Sequence, residues 1–276
     1  MSADLHVHTT FSDGTHTPEE VVEQAKKAGL SAIAITDHDV VDGIGSAQKR
    51  GRELGVEVIP GIEFTTEAFD TEIHILGYFI DYRHPGLVEA MTRIQKGRRE
   101  RIFKICEKLK GLGVDLDPEK VLELAGNRAP GRPHVARALV DAGYVRDFKE
   151  AFTKYIDFHG PAYVSHYKLS PEEAVRLVVA AGGVPVYAHP AVSNCDQIIP
   201  ELMAAGLAGI EVYYSGHNKS QTRHYLNLAK KDGLLATGGS DYHGVRSGRE
   251  VELGELSIPD ELVEKLKNEH LRRNKP

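Results

Sequence analysis

A chain of 276 residues that is 41% hydrophobic can form one large domain, or one domain carrying an insertion. Its formal charge of −6 argues against a general nucleic-acid-coating role, which needs a basic surface. Only two cysteines, Cys106 and Cys195, in no pair motif, no run near the roughly 18 apolar residues of a membrane span, and polar Asp4 and His6 where a secretory signal would turn apolar predict a cytoplasmic protein without disulfides or a membrane anchor.

The first strand candidate lies around Leu5 and puts His6 and His8 on one face, because strand side chains repeat with period two. Asp13-Gly14 is a turn dipeptide. Thr17-Pro18-Glu19-Glu20 opens a helix with an N-cap, a proline at N1 and a glutamate at N3, and Gly29 stops it. The apolar run 30–35 reads as a buried parallel strand followed by Asp37-His38-Asp39. A third strand around Val58 leads through a Pro60-Gly61 turn to Glu63, and a fourth holds His74 between Ile73 and Ile75.

Between about 87 and 163 the strands cease. Leu87, Met91 and Ile94, then Ile102, Cys106 and Leu109, have helical spacing; a capped helix begins at Asp117-Pro118 and another spans about 133–142. Residues 91–163 are therefore expected to form a helical insertion lying over a main domain of residues 1–90 and 164–276. The basic run at 93, 96, 98, 99, 101, 104, 108 and 110 reads as a solvated helix face in preference to a substrate-steering surface. Ser170-Pro171-Glu172-Glu173 repeats the helix start signal. Strands follow around Val186, which ends at His189, around Ile210, and around Leu235, after which come Gly238-Gly239 and Asp241-Tyr242-His243.

About seven strands alternating with helices imply an α/β fold with a parallel sheet, either doubly wound or closed into a barrel. Active sites in such folds form at the carboxyl ends of the strands. A histidine such as His74 in an apolar strand is usually a satisfied core side chain, and Asp37 alone could be a turn residue. Six strands delivering His, Asp or Glu to one rim point instead to a metal site. Imidazole and carboxylate without thiolate suit zinc, manganese or iron, and the ligands outnumber the three of a mononuclear catalytic zinc site, so two or three metals are expected. Clustered metals serve phosphoester hydrolysis by lowering the pKa of water and clamping the attacking and leaving oxygens.

Asp4-Leu5-His6-Val7-His8-Thr9 with Phe11-Ser12-Asp13-Gly14 resembles the first motif of the PHP (polymerase and histidinol phosphatase) superfamily. Thr36-Asp37-His38, Gly61-Ile62-Glu63, His74, Ala188-His189-Pro190 and Gly239-Ser240-Asp241-Tyr242-His243 resemble its remaining motifs, in order and over the whole chain. The resemblance implies a distorted seven-stranded (β/α) barrel with a trinuclear site. His6, His8, Glu63 and Asp241 would hold one metal; Glu63 as a bridge, with His74 and His189, the second; Asp13, His38 and His243 the third. Glu63, Asp241 and His243 would be catalytic, while Asp37 and Asp39 would orient imidazoles.

The insertion with Gly131-Arg132-Pro133-His134 is similar to the branch containing RNase AM and nucleoside 3′,5′-bisphosphate phosphatases, which implies that Arg132 and His134 contact a substrate phosphate. That branch commonly places an arginine where Val192 stands, so a second phosphate clamp is missing or comes from another residue. The resemblance thus implies a phosphoesterase with two or three Mn2+, Zn2+ or Fe2+ ions. A metal-bridging hydroxide would attack nucleoside 3′,5′-bisphosphates or short 5′-phosphorylated oligonucleotides, with no stable nucleic-acid complex. Two alternatives are a simple monoesterase of the histidinol phosphatase type, disfavoured by the insertion, and a metal-stabilised module without turnover, disfavoured by the full ligand set. His217, His159 and Tyr242 are candidate leaving-group acids, each with a structural alternative.

Overall fold

The computed structural model describes residues 2–126, 129–245 and 251–275. Among these residues, one sheet of eight strands runs in the order β7-β6-β5-β4-β3-β2-β1-β8. These are β1 (Ser2–Val7), β2 (Ala32–Ile35), β3 (Glu57–Ala68), β4 (Thr71–Tyr78), β5 (Val184–Tyr187), β6 (Gly209–Tyr214), β7 (Leu235–Gly239) and β8 (Ile258–Pro259). The helices are α1 (Pro18–Lys27), α2 (Ile44–Leu54), α3 (Pro85–Gly111), α4 (Pro118–Leu124), α5 (Arg132–Asp141), α6 (Phe148–Ala151), α7 (Pro171–Ala180), α8 (Pro190–Ser193), α9 (Ile199–Ala205), α10 (Lys219–Asp232) and α11 (Asp260–Arg273). No helix among the described residues is long and apolar enough to cross a membrane.

The sheet nearly closes into a barrel. Past β7 the chain returns to β1, where His8 N donates to Tyr242 O at 2.9 Å and Tyr242 N to His6 O at 3.2 Å. Gly239 permits this seam, since a Cβ there would lie 2.4 Å from both the Cβ and the backbone nitrogen of His6. The seven expected strands form, and the eighth, β8, is a two-residue segment pairing antiparallel with β1, too short to leave a periodic signal.

Two expectations need correction. The sheet is mixed: β4 runs antiparallel to both β3 and β5, while the other main strands pair in parallel. No helix separates β3 from β4; the link is Phe69-Asp70, both at positive φ (51° and 55°), a hairpin turn made without the usual Asn-Gly or Asp-Gly signal. Because β4 is reversed, His74 near its start pairs with Thr65 near the end of β3, and both lie at the same rim. Pro60-Gly61 is not a turn but lies within β3, and a Cβ on Gly61 would meet Ile35 O at 2.8 Å and Gly77 O at 3.1 Å.

Helix starts follow the sequence. Thr17 and Ser170 accept from Glu20 N and Glu173 N, and each glutamate reaches back to its cap nitrogen, satisfying two otherwise orphaned donors per helix. Apolar strand residues on one face pack under α1, α2, α7 and α9, while Leu5, Ala34, Ile59, Leu76, Val186 and Ala188 fill the barrel interior. Burying each large apolar side chain contributes about 1.5–3 kcal/mol. Helix α3 carries two cores: Leu87, Met91 and Ile94 join the barrel's outer core, whereas Ile102, Ile105, Cys106 and Leu109 join a separate cluster with α4 and α5. Residue 91 thus lies inside a continuous helix.

Candidate metal centre

Glu63, fully buried on β3, is the hub. Its Oε2 lies 3.1 Å from each of His6 Nε2, His8 Nε2 and His38 Nδ1. Its Oε1 lies 2.8 Å from His74 Nδ1 and 3.0 Å from His189 Nε2. Asp241 Oδ1 closes the other side, 3.4 Å from His6 Nε2 and 3.2 Å from His8 Nε2. Asp13 Oδ1 stands 3.2 Å from His243 Nε2 and 3.8 Å from His8 Nδ1. The barrel therefore brings together all nine residues that the sequence marks as candidate ligands.

The backbone is forced where these side chains converge. Asp39, His189 and Asp241 have φ of 54°, 26° and 57°, a region costly for residues with a Cβ and concentrated at functional sites. Glu211, in the interior of β6, holds part of this strain. Its Oε2 accepts from His189 N at 2.8 Å and its Oε1 lies 3.0 Å from His6 Nδ1. This is the carboxylate–histidine pairing that fixes which ring nitrogen faces a metal. Sequence reasoning missed Glu211; its signal was a lone carboxylate between Ile210 and Val212 in an otherwise apolar strand.

Cations fit this donor set. His6 Nε2, His8 Nε2, Asp13 Oδ1, Glu63 Oε2 and His243 Nε2 are all buried without a hydrogen-bond partner among the described residues. Asp13, Glu63 and Glu211 contact no lysine or arginine among the described residues. Burial alone would raise the Glu63 carboxyl, but His38, His6 and His74 hold it well below the usual carboxylate range. Burial, with His243 next, pulls His8 down to about 4, in keeping with ring centroids only 4.1 Å apart. At His6 burial opposes the charge, yet Glu63 and Glu211 outweigh it and raise the ring to about 10, a demand for positive charge that a metal would meet. Three groups have ligand atoms mutually within 4.8 Å: His6, His8, Glu63 and Asp241; His8, Asp13, His38 and His243; His38, Glu63 and His74.

Asp37 and Asp39 touch no imidazole directly. Asp37 accepts from Thr9 N, Thr9 Oγ1 and Ser12 Oγ, and Ser12 Oγ in turn lies 3.3 Å from His8 Nδ1. Asp39 pairs with Arg98 of α3, whose Nη2 also donates to Thr65 Oγ1 at 3.0 Å.

A cleft opens beside the cluster, lined by His38, His74, His189 and Tyr214 on the barrel side and by Arg98, Arg101 and Arg132 on the helical side. The basic run is therefore not wholly a solvated face: Arg98 and Arg101 are buried against the site. Arg132 reaches the cleft, but its guanidinium is paired with Glu72 and lies over the rings of Phe152 and Tyr163. His134 is buried, with Nδ1 accepting from Gly131 N at 3.1 Å, so its ring caps α5 rather than lining the cleft. Val192 lines the cleft with an exposed side chain. The three candidate acids lie off it: His217 Nδ1 bonds Val212 O, Tyr242 OH bonds His16 and Gln24, and His159 is exposed beside Phe158. Tyr214, unmarked by the sequence, lines the cleft and donates to Asp241 Oδ2 at 3.2 Å.

The PHP domain model matches residues 4–161. The chain is 34% identical over 255 residues to a 3′,5′-nucleoside bisphosphate phosphatase of Chromobacterium violaceum, covering 90% of each. It is 33% identical over 258 residues to a phosphoribosyl 1,2-cyclic phosphate 1,2-diphosphodiesterase of Eggerthella lenta, covering 92% of this chain and 98% of that one. A 5′-3′ exoribonuclease of Haemophilus influenzae is 33% identical over 266 residues, with 93% and 96% covered. Among solved structures, a Bifidobacterium adolescentis chain designated a metal-dependent phosphoesterase superposes with a TM-score of 0.88 at 32% identity, over 99% of this chain and 96% of that one.

Proposed function

The chain belongs to the PHP domain family, and from that premise we propose that it is a metal-dependent phosphoesterase acting on nucleoside 3′,5′-bisphosphates or short 5′-phosphorylated oligonucleotides. The observation that carries the reading is a buried cluster of imidazole and carboxylate groups, several of whose atoms have no hydrogen-bond partner among the described residues, opening onto a cleft lined by arginines. The three relatives all cleave phosphoesters and differ in substrate, so preference has to be argued from the cleft.

His6, His8, Glu63 and Asp241 would hold one metal, and Asp13, His38 and His243 another. Glu63, as a bridge, with His74 and the adjacent His189, would hold a third. Bound divalent ions supply Lewis acidity, lowering the pKa of water and neutralising phosphoryl oxygens. The protein supplies placement. Glu211 fixes the His6 ring, Tyr214 holds Asp241, and the helical segment 91–163 acts as a cap that brings Arg132 to a phosphate remote from the scissile bond. Binding energy from that phosphate is then available in the transition state at the reacting centre.

Kinetics with a nucleoside 3′,5′-bisphosphate and the matching 3′-monophosphate test this reading. The bisphosphate is expected to have a kcat/KM at least about tenfold higher, worth about 1.4 kcal/mol. Equal values would replace it with an unspecialised phosphomonoesterase on the same metal site.

A further inference from the structure

Arg101 and Arg132 stand side by side on the cap wall of the cleft, over the same Tyr163 ring, at 5.2 and 5.6 Å from its centroid. Arg101 is only 3% exposed. Its Nε donates to Val164 O at 2.6 Å, but its Nη2 is buried with no hydrogen-bond partner among the described residues, an arrangement that costs free energy unless something completes it. The nearby carboxylates are committed elsewhere. Glu72 gives Oε2 to Arg132 and Oε1 to Lys168 Nζ at 2.8 Å, and Glu67 Oε2 lies 2.9 Å from the same Lys168. Among the described residues, three cations thus face two carboxylates, and Arg101 is the one left over. Burial, then repulsion from Arg132, pulls Arg101 down to about 10.

We propose that Arg101 and Arg132 form a subsite for a phosphate dianion and that Glu72 is its built-in stopper, displaced from Arg132 when the phosphate enters. The idea rests on the reading above that a substrate phosphate remote from the scissile bond docks against the cap. A tetrahedral phosphoryl group presents three oxygens and can bridge both guanidiniums, whereas of the two the Glu72 carboxylate pairs with Arg132 alone. Released from Arg132, Glu72 keeps Lys168 as its partner, so no carboxylate is stranded. Arg101 then supplies the second clamp that is absent at Val192, and a ligand lacking the dianion leaves the stopper in place.

Calorimetric titration of the metal-loaded protein with a nucleoside 5′-monophosphate and with the bare nucleoside tests the proposal. The parent should favour the phosphorylated ligand, and Arg101→Met should cut that preference by about tenfold, the scale of one charge-assisted contact. Arg101→Lys, which keeps the charge but loses the fork, should also cut it, and serves if the methionine variant does not fold. Glu72→Gln decides the stopper. Removing a competing carboxylate should tighten binding of the 5′-monophosphate several-fold; if Glu72 only anchors Arg132, the same change weakens binding or leaves it unchanged, and the proposal falls. No preference for the phosphorylated ligand in the parent, or an unchanged preference in the Arg101 variants, overturns it as well. Should these affinities behave as expected while the bisphosphate and 3′-monophosphate are turned over equally, the assigned substrate fails and the anion subsite stands.

Discussion

Glu211→Gln is expected to weaken metal binding although Glu211 is not among the residues grouped as ligands. The carboxylate is fully buried and serves two donors at once, His6 Nδ1 through Oε1 and His189 N through Oε2. Glutamine keeps the shape but has one acceptor oxygen, so its amide NH2 must face whichever N–H the oxygen leaves. One buried donor then loses its acceptor, and the charge that keeps the His6 proton on Nδ1 is gone. A hydrogen bond to a charged group is worth about 1.5–3 kcal/mol, which corresponds to roughly 10- to 100-fold in metal affinity. Competition against a chromophoric chelator measures that affinity directly. Melting with excess metal and with chelator separates it from a general loss of stability, because a protein that binds metal more weakly gains less from it. Unchanged affinity and an unchanged metal-induced rise in Tm would refute the claim that Glu211 sets the orientation of His6 and His189.

Glu63→Ala is expected to lose at least one metal and almost all turnover while the barrel still folds; elemental analysis showing full metal content would remove Glu63 as a bridge. Arg132→Ala should keep its metals and lose about ten- to a hundredfold in kcat/KM on a doubly phosphorylated substrate, the cost of one charge-assisted contact of about 1.5–3 kcal/mol. Equal kcat/KM in variant and parent would make Arg132 a partner of Glu72 alone. Arg98→Met leaves Asp39 buried without its cation and is expected to destabilise the fold by about 3–5 kcal/mol in denaturant unfolding. A loss under about 1 kcal/mol would mean that the pair between α3 and Asp39 contributes little.

The legible part of the fold was whatever local chemistry specifies. Capping residues announced α1 and α7, and apolar runs announced β2 and β5, because a strand buried on both sides needs continuous apolar residues. The reversal of β4 left no comparable trace. A strand's pattern is the same whichever way it runs, and direction is set by its connection; here that is a two-residue turn of Phe69-Asp70, where neither residue is the glycine that usually marks positive φ. The expectation of a parallel sheet therefore failed at β4, yet His74 still reaches the shared rim, because its position near the start of a reversed strand is equivalent to the end of a parallel one.

The site divides along the same physical line. Residues with side chains at strand ends were visible, because His, Asp and Glu are unexpected there once the strands are drawn. Glu211, Arg98 and Arg101 were not, since each owes its role to a partner far away in the chain: His6 for Glu211, Asp39 for Arg98, and the Val164 carbonyl for Arg101. In a helix as basic as α3, charge pattern alone cannot tell solvated arginines from buried ones, as side chains of both kinds recur on its turns. What separates them is the other surface. Arg98 and Arg101 are three positions apart and share the face turned to the cleft, between Ile94 in one core and Ile102 in the other. The stretch of α3 that changes cores is thus the stretch that offers cations to the site, and a charge there is buried for function at a cost that the surrounding cores must offset.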